Sequence, residues 1–235
     1  MLYPYSVDPV LIIAAVVPAA ALMVFVYRAD RLDKEPTALL WRLILQGVIA
    51  TALATFAERI GASVLSRILN PESAVYQAVF CFLVVGLSEE GFKYLLLKRF
   101  TWNSPHFNCR FDGVVYAVFV SLGFALWENI SYVALYGIQT ALVRALTAVP
   151  GHASFGVFMG AWYGLAKSHE RHGHTKYSLL CRRLAVFCPV LLHGLYDLIA
   201  MLSEIPSWIF IIFIALLFLA AFTMTRSISR KDQYI

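Results

Sequence analysis

Of the 235 residues, 60% are apolar and only 14% are charged, with a mean hydropathy of +0.73. That balance excludes an ordinary water-soluble enzyme and a disordered chain, and marks a polytopic membrane protein. The net charge of +5 calls for no nucleic-acid partner, because loop topology and anionic lipid head groups account for it.

A spanning helix needs about 20 residues, so the chain has room for about seven or eight spans and no sizeable soluble domain. We read residues 1–235 as a single transmembrane domain, an all-α polytopic helix bundle. Apolar runs predict spans at Val10 to Tyr27, Ala38 to Phe56, Val75 to Leu97, Val114 to Tyr136, Ala141 to Ala166, Leu184 to Leu202 and Trp208 to Met224. The first has no basic residues ahead of it and no small-residue cleavage site after it, so it reads as a retained helix that Pro18 kinks. Between the second and third spans, Ala57 to Leu69 is amphipathic; it either extends the second helix or lies along the outer interface. In the fifth, Pro150–Gly151 interrupts helical hydrogen bonding. Gly156, Gly160 and Gly164 then recur every four residues as a packing stripe.

Fifteen of the nineteen Lys and Arg residues fall after the first, third, fifth and seventh spans. The opposite loops hold only Arg59, Arg67 and Arg144, so the positive-inside bias predicts an outer amino terminus and a cytoplasmic carboxyl terminus. Cys81, Cys109, Cys181 and Cys188 form no CxxC pair, and two lie in expected cytoplasmic loops, which argues against disulfides.

The chemistry-bearing signal is a set of ionisable residues inside these spans: Glu89, Glu90, Lys93, Glu128, His152, His193 and Asp197. Each such group costs roughly 2.5 to 3.5 kcal/mol at mid-bilayer, so they must face one another, water or a metal. Lys93 lies four residues from Glu89 and three from Glu90, within reach of both. The adjacent glutamates point about 100° apart and cannot share one job. His193 and Asp197 are four apart on one helical face, spaced for the carboxylate to orient the imidazole. The loop histidines His169, His172 and His174 read as solvated.

Four motifs in order, Glu-Glu-x-x-Lys at Glu89 to Lys93, Phe-x-x-x-Glu at Phe124 to Glu128, His152-Ala153-x-Phe155-Gly156 and His193-x-x-x-Asp197, resemble the PrsW family of intramembrane proteases. Asp33-Lys34-Glu35-Pro36 also looks like that family. The family is distantly similar to the CAAX prenyl-protease group, from which this chain departs at Lys93 and at Glu128, where that group has a histidine. The resemblance implies hydrolysis of a peptide bond in or near the membrane segment of a single-pass protein, such as an anti-sigma factor, in a bacterial plasma membrane.

Amide hydrolysis in a low-dielectric site requires an activated water and a stabiliser for the oxyanion. A Zn²⁺ held by Glu128, His152 and His193 would supply both, with Glu89 or Glu90 as general base and Asp197 orienting His193. A metal-free glutamic mechanism uses the same residues. An ion-coupled transporter also buries carboxylates and a lysine, but the two related halves it often shows are not evident here. A non-enzymatic scaffold that binds partner helices through the glycine stripe is the third class.

Overall fold

The structure, a computed structural model, describes residues 9–202 and 205–235. The expected outer amino-terminal segment, residues 1–8, lies outside the described residues. The described chain is a helical bundle with no named strand: α1 (Pro9–Ala29), α2 (Thr37–Ile68), α3 (Ala74–Val79), α4 (Leu87–Thr101), α5 (Asp112–Tyr136), α6 (Ile138–Leu146), α7 (Ala148–Arg171), α8 (Thr175–Met201) and α9 (Ser207–Arg230). A π-helical segment, Phe80–Gly86, joins α3 to α4 in one rod.

Five helices (α1, α2, α5, α8 and α9) are long and apolar enough to cross a membrane. The π segment leaves α4 only 15 residues long, and α7, with its glycines and His152, is less apolar than those five. Helix α5 is the axis: Asp112 to Ala125 is buried without a break, and α1, α2, α4, α6 and α7 pack around it. Its apolarity all round is what a helix with protein on every side requires. Helix α9, by contrast, has only 17% of its span buried and forms the periphery.

Two crossings let backbones meet. A Cβ on Gly47 of α2 would lie 2.1 Å from the Val120 carbonyl oxygen of α5, and one on Gly123 would lie 2.3 Å from that of Ile44. On the other face of α5, Gly113 meets Gly160 and Gly164, so the stripe on α7 is the packing surface its spacing predicts. In lipid, where apolar surface alone drives no association, this close approach is the main source of helix adhesion.

One open choice closes and two expectations change. The amphipathic stretch after the second predicted span extends it, making α2 a single helix of 32 residues. The fifth predicted span does not begin at Ala141: the chain breaks at Thr147, giving short α6 and then α7. Pro150–Gly151 therefore sits in the first turn of α7, where a missing proline N–H removes no helical bond, and interrupts nothing. All four cysteines are free.

The Lys/Arg-rich end is closed by polar contacts. Asp112 accepts from the Asn108 and Cys109 N–H groups at 2.9 and 2.7 Å, and Asp232 of the tail accepts from Phe111 N–H at 2.9 Å. The Asp33-Lys34-Glu35-Pro36 segment is part of this closure. Tyr116 donates to Glu35 at 2.6 Å, and Asn108 donates to Asp33 at 3.1 Å. Burial pushes Asp30 up to about 6 and Glu35 up to about 7 from their ordinary carboxylate values.

Candidate active site

The site is assembled by four helices, and the π segment sets its register. Leu87 N–H donates to Phe82 O, five residues back, so one extra residue is absorbed before α4 begins. That widened turn rotates the residues after it and aims Glu89, Glu90 and Lys93 at the axis of the bundle, where all three are buried.

Lys93 is the hub. Its ammonium donates to Glu90 Oε1 at 2.7 Å and Glu89 Oε2 at 3.1 Å, lies 3.1 Å from His152 Nδ1, and sits 3.9 Å from the centre of the Phe124 ring. Phe124 of the Phe-x-x-x-Glu motif thus lids the cation while its helix delivers Glu128 one turn on. The compensated charge explains how a fully buried lysine persists at bilayer depth.

The two glutamates differ as their 100° separation requires. Glu90 is fully buried, and its Oε1 also lies 2.9 Å from His193 Nδ1. Its Oε2 takes no hydrogen bond. Glu89 lines a cavity of about 380 Å³ with His152, His193, Glu128 and Asp197. Glu89 therefore faces the cavity, and Glu90 does not.

His193 stacks on Phe155, ring centres 4.8 Å apart, and the imidazoles of His152 and His193 stand edge to face at 5.3 Å. Asp197 Oδ2 lies 3.5 Å from His193 Nε2, a long approach, so Glu90 is the closer orienting partner and Asp197 faces the cavity.

Among the described residues, the group whose donor atoms converge is Glu89, Glu90, His152 and His193, all within 4.8 Å of one another. Glu128, expected beside the two histidines as a ligand, stands outside this group. Its Oε2 accepts from Arg144 at 2.7 Å and lies 2.9 Å from His152 Nε2. Depth explains this. Glu90 is eleven residues from the end of α4 and Glu128 sixteen from the start of α5, placing them about 17 and 24 Å in at 1.5 Å per residue. The His152 ring spans the offset, with Nδ1 toward Lys93 and Nε2 toward Glu128.

Two imidazoles with two carboxylates form the nitrogen–oxygen set that zinc accepts, and the unpartnered Oε2 of Glu90 is an acceptor inside that group. The donor set therefore fits a divalent metal. His169, His172 and His174 take no part in it.

Two site residues went unrecognised in the sequence. Arg144 of α6, counted as an outer-loop cation, lines the cavity, bonds Glu128 and donates to Asn129 at 3.0 Å. Glu58 of α2 also lines the cavity. A signal for it existed: Thr51, Thr55 and Glu58 form a polar stripe at helical spacing on an otherwise apolar span.

Residues 35–224 match the family described as "PrsW family intramembrane metalloprotease". Among curated relatives, the chain is 36% identical to "Protease PrsW" of Halalkalibacterium halodurans, over 82% of this chain and 84% of that one. It is 33% identical to "Protease PrsW" of Bacillus subtilis, over 92% and 94%. The corresponding Clostridioides difficile protein is 29% identical over 82% and 80%. No solved structure matches the chain.

Proposed function

Since the chain belongs to the PrsW family and is an intramembrane protease, we propose that it cuts a single-pass membrane protein in or beside its membrane segment, using metal-assisted hydrolysis. An anti-sigma factor is the substrate type we favour. The observation that carries the reading is the convergence of Glu89, Glu90, His152 and His193 in one buried group beside the cavity.

Glu90, His152 and His193 would hold the metal, leaving Glu89 free on the cavity side. A bound Zn²⁺ would polarise the scissile carbonyl and lower the pKa of a water in the site. Glu89 takes the proton of that water as it attacks the amide carbon, then gives it to the departing amine nitrogen. Lys93, 3.1 Å from Glu89, fixes the carboxylate and offsets its charge together with that of Glu90. Glu128, anchored by Arg144, holds the His152 ring from its Nε2 side, the arrangement that orients a ligand imidazole.

The cavity is lined by Ala148, the first residue of α7, and Met201, the last of α8, so it opens at the end opposite the Lys/Arg-rich loops. With the carboxyl terminus in the cytoplasm, water enters from the outer face, and the cut falls on the outer side of the bilayer. A bacterial plasma membrane is the setting this orientation fits.

A second reading, glutamic hydrolysis without metal, is favoured by the Lys93 ammonium, which already touches three of the four donor groups. Metal analysis of purified protein beside a cleavage assay in chelator separates the two. Stoichiometric metal, with activity lost on chelation and regained with Zn²⁺, supports the first. Full activity at substoichiometric metal supports the second. Unaltered cleavage by both Glu89→Ala and Glu90→Ala variants refutes both.

A further inference from the structure

Two spaces meet at the site. The cavity shares Glu58, Glu89, Glu128 and Tyr132 with a groove of about 680 Å³ between α2 and α5. The walls of the groove are stripes at helical spacing: Thr51, Thr55 and Phe56 on α2, with Trp127, Ser131 and Leu135 on α5. Its inner end is lined by Thr51 and Phe124, next to the backbone crossing at Gly47 and Gly123. Thr51 pins that crossing, its hydroxyl 3.1 Å from Gly47 O and 3.4 Å from Phe124 O. The groove thus runs from beside the glycine crossing to Glu58, Glu89 and Glu128, where it meets the cavity. Its lips, Phe56, Trp127 and Leu135, are 67%, 50% and 75% exposed, turned toward the lipid.

Glu58 stands where groove and cavity join. Glu128 is held by Arg144, and Glu89 and Glu90 by Lys93, but the buried Oε1 of Glu58 takes no hydrogen bond from the described residues. It forms no ion pair among them either. Arg59 of α2 also lines the groove but makes no ion pair with Glu58, and a partner that brings a cation to an unpaired buried carboxyl group relieves its cost. A helix with its side chains is about 10 to 12 Å across and hides its amides in internal hydrogen bonds, whereas an unwound stretch is slimmer and offers its amides to the Thr51, Thr55 and Ser131 hydroxyls that line the groove.

Taking the protease reading as its premise, we propose that the α2–α5 groove admits an unwound stretch of substrate from the lipid side, and that Glu58 holds a lysine or arginine of that stretch beside the scissile bond. Glu58 is then a specificity residue: it selects the cut site by charge and does not touch the reacting atoms.

The test uses the full chain in liposomes with synthetic single-span peptides. Each has a Leu/Ala core of about 20 residues, broken by Gly-Gly and carrying Lys, Gln or Glu next to the break. Binding is read by photocrosslinking from benzoylphenylalanine at position 127 in the groove. The control is the same group at position 187, on the separate apolar face lined by Leu179 and Phe187. Both proteins carry Glu89→Gln, so binding is scored without turnover. The Lys peptide is expected to crosslink at 127 about tenfold more than the Glu peptide, with 187 silent. Glu58→Gln should erase the preference, and Glu58→Lys should reverse it.

Crosslinking at 187 equal to that at 127, no crosslinking at either position, or an unchanged Lys preference in Glu58→Lys overturns the proposal. Cleavage by the unmodified chain is measured in parallel. Cleavage without groove crosslinks discards the groove and keeps the protease, whereas groove crosslinks with the predicted charge preference but no cleavage of any peptide keep the groove and count against the protease.

Discussion

Exchanging each glutamate of the doublet for its isosteric amide separates chemistry from architecture. Glu89→Gln keeps an oxygen for Lys93 but removes the base that faces the cavity. Losing a positioned general base costs about 10² to 10⁴ in rate, or about 3 to 5 kcal/mol of transition-state stabilisation. Its melting temperature should move little, because one contact to Lys93 is at stake and Glu90 still pairs that lysine at 2.7 Å. Glu90→Gln costs stability as well as activity, since it removes a proposed metal ligand. Its Oε1 meets Lys93 at 2.7 Å and His193 Nδ1 at 2.9 Å in full burial, so neutralising it breaks a buried ion pair. That costs about 3 to 5 kcal/mol, or roughly 6 to 20 °C in a chain of this size. The assay is cleavage of a single-span reporter by protein in liposomes, paired with thermal unfolding in detergent. If Glu89→Gln keeps activity within about tenfold while Glu90→Gln melts like the parent and is inactive, the roles are exchanged and the reasoning fails.

Lys93→Met should be the more damaging change, because it strands two carboxylates: a loss of about 3 to 5 kcal/mol or failure to accumulate in the membrane is expected, checked by unfolding and membrane-fraction yield. Gly123→Ala pushes a methyl into the Ile44 carbonyl region, so α2 and α5 must separate. Overpacking of that kind costs about 1 to 3 kcal/mol and should lower the melting temperature even though the site is untouched. Glu35 tests the closed end by pH. Its value rises from 4.5 unfolded to about 7 folded, so its contribution to native stability is full below about pH 4.5 and is lost as pH climbs through about 7. Glu35→Gln removes that loss while keeping an acceptor for Tyr116. The variant should match the parent near pH 4.5 and exceed it by about 1 to 2 kcal/mol at pH 8; a gap that widens toward acid refutes the assignment.

Much of this molecule was legible from apolar runs, because lipid forces each spanning segment to satisfy its own backbone and so to announce its length. The site residues announced themselves for the related reason that charges at bilayer depth are too costly to be incidental. What stayed hidden depended on geometry that hydropathy does not carry. The π segment at Phe80–Gly86 adds one residue to a turn, a change too small to disturb an apolar run yet enough to re-aim Glu89. The break at Thr147 fell inside a run apolar on both sides. Arg144 was read as a loop charge because counting cations by side of the membrane says nothing of how far a side chain reaches back. Glu128 was expected beside both histidines, and the depth offset between α4 and α5 sets it against the outer nitrogen of His152 alone, outside the converging group.

At 32 residues α2 is about 48 Å long, against a hydrocarbon layer of about 30 Å. Ile60, Val64 and Ile68 on its last turns remain apolar and exposed. A greasy shaft that overshoots its solvent must lean, or draw the lipid surface up around itself. Where the lipid is drawn up, the layer thickens beside Glu58, so a neighbouring transmembrane segment drifting near would meet an uneven boundary just where it has to come undone.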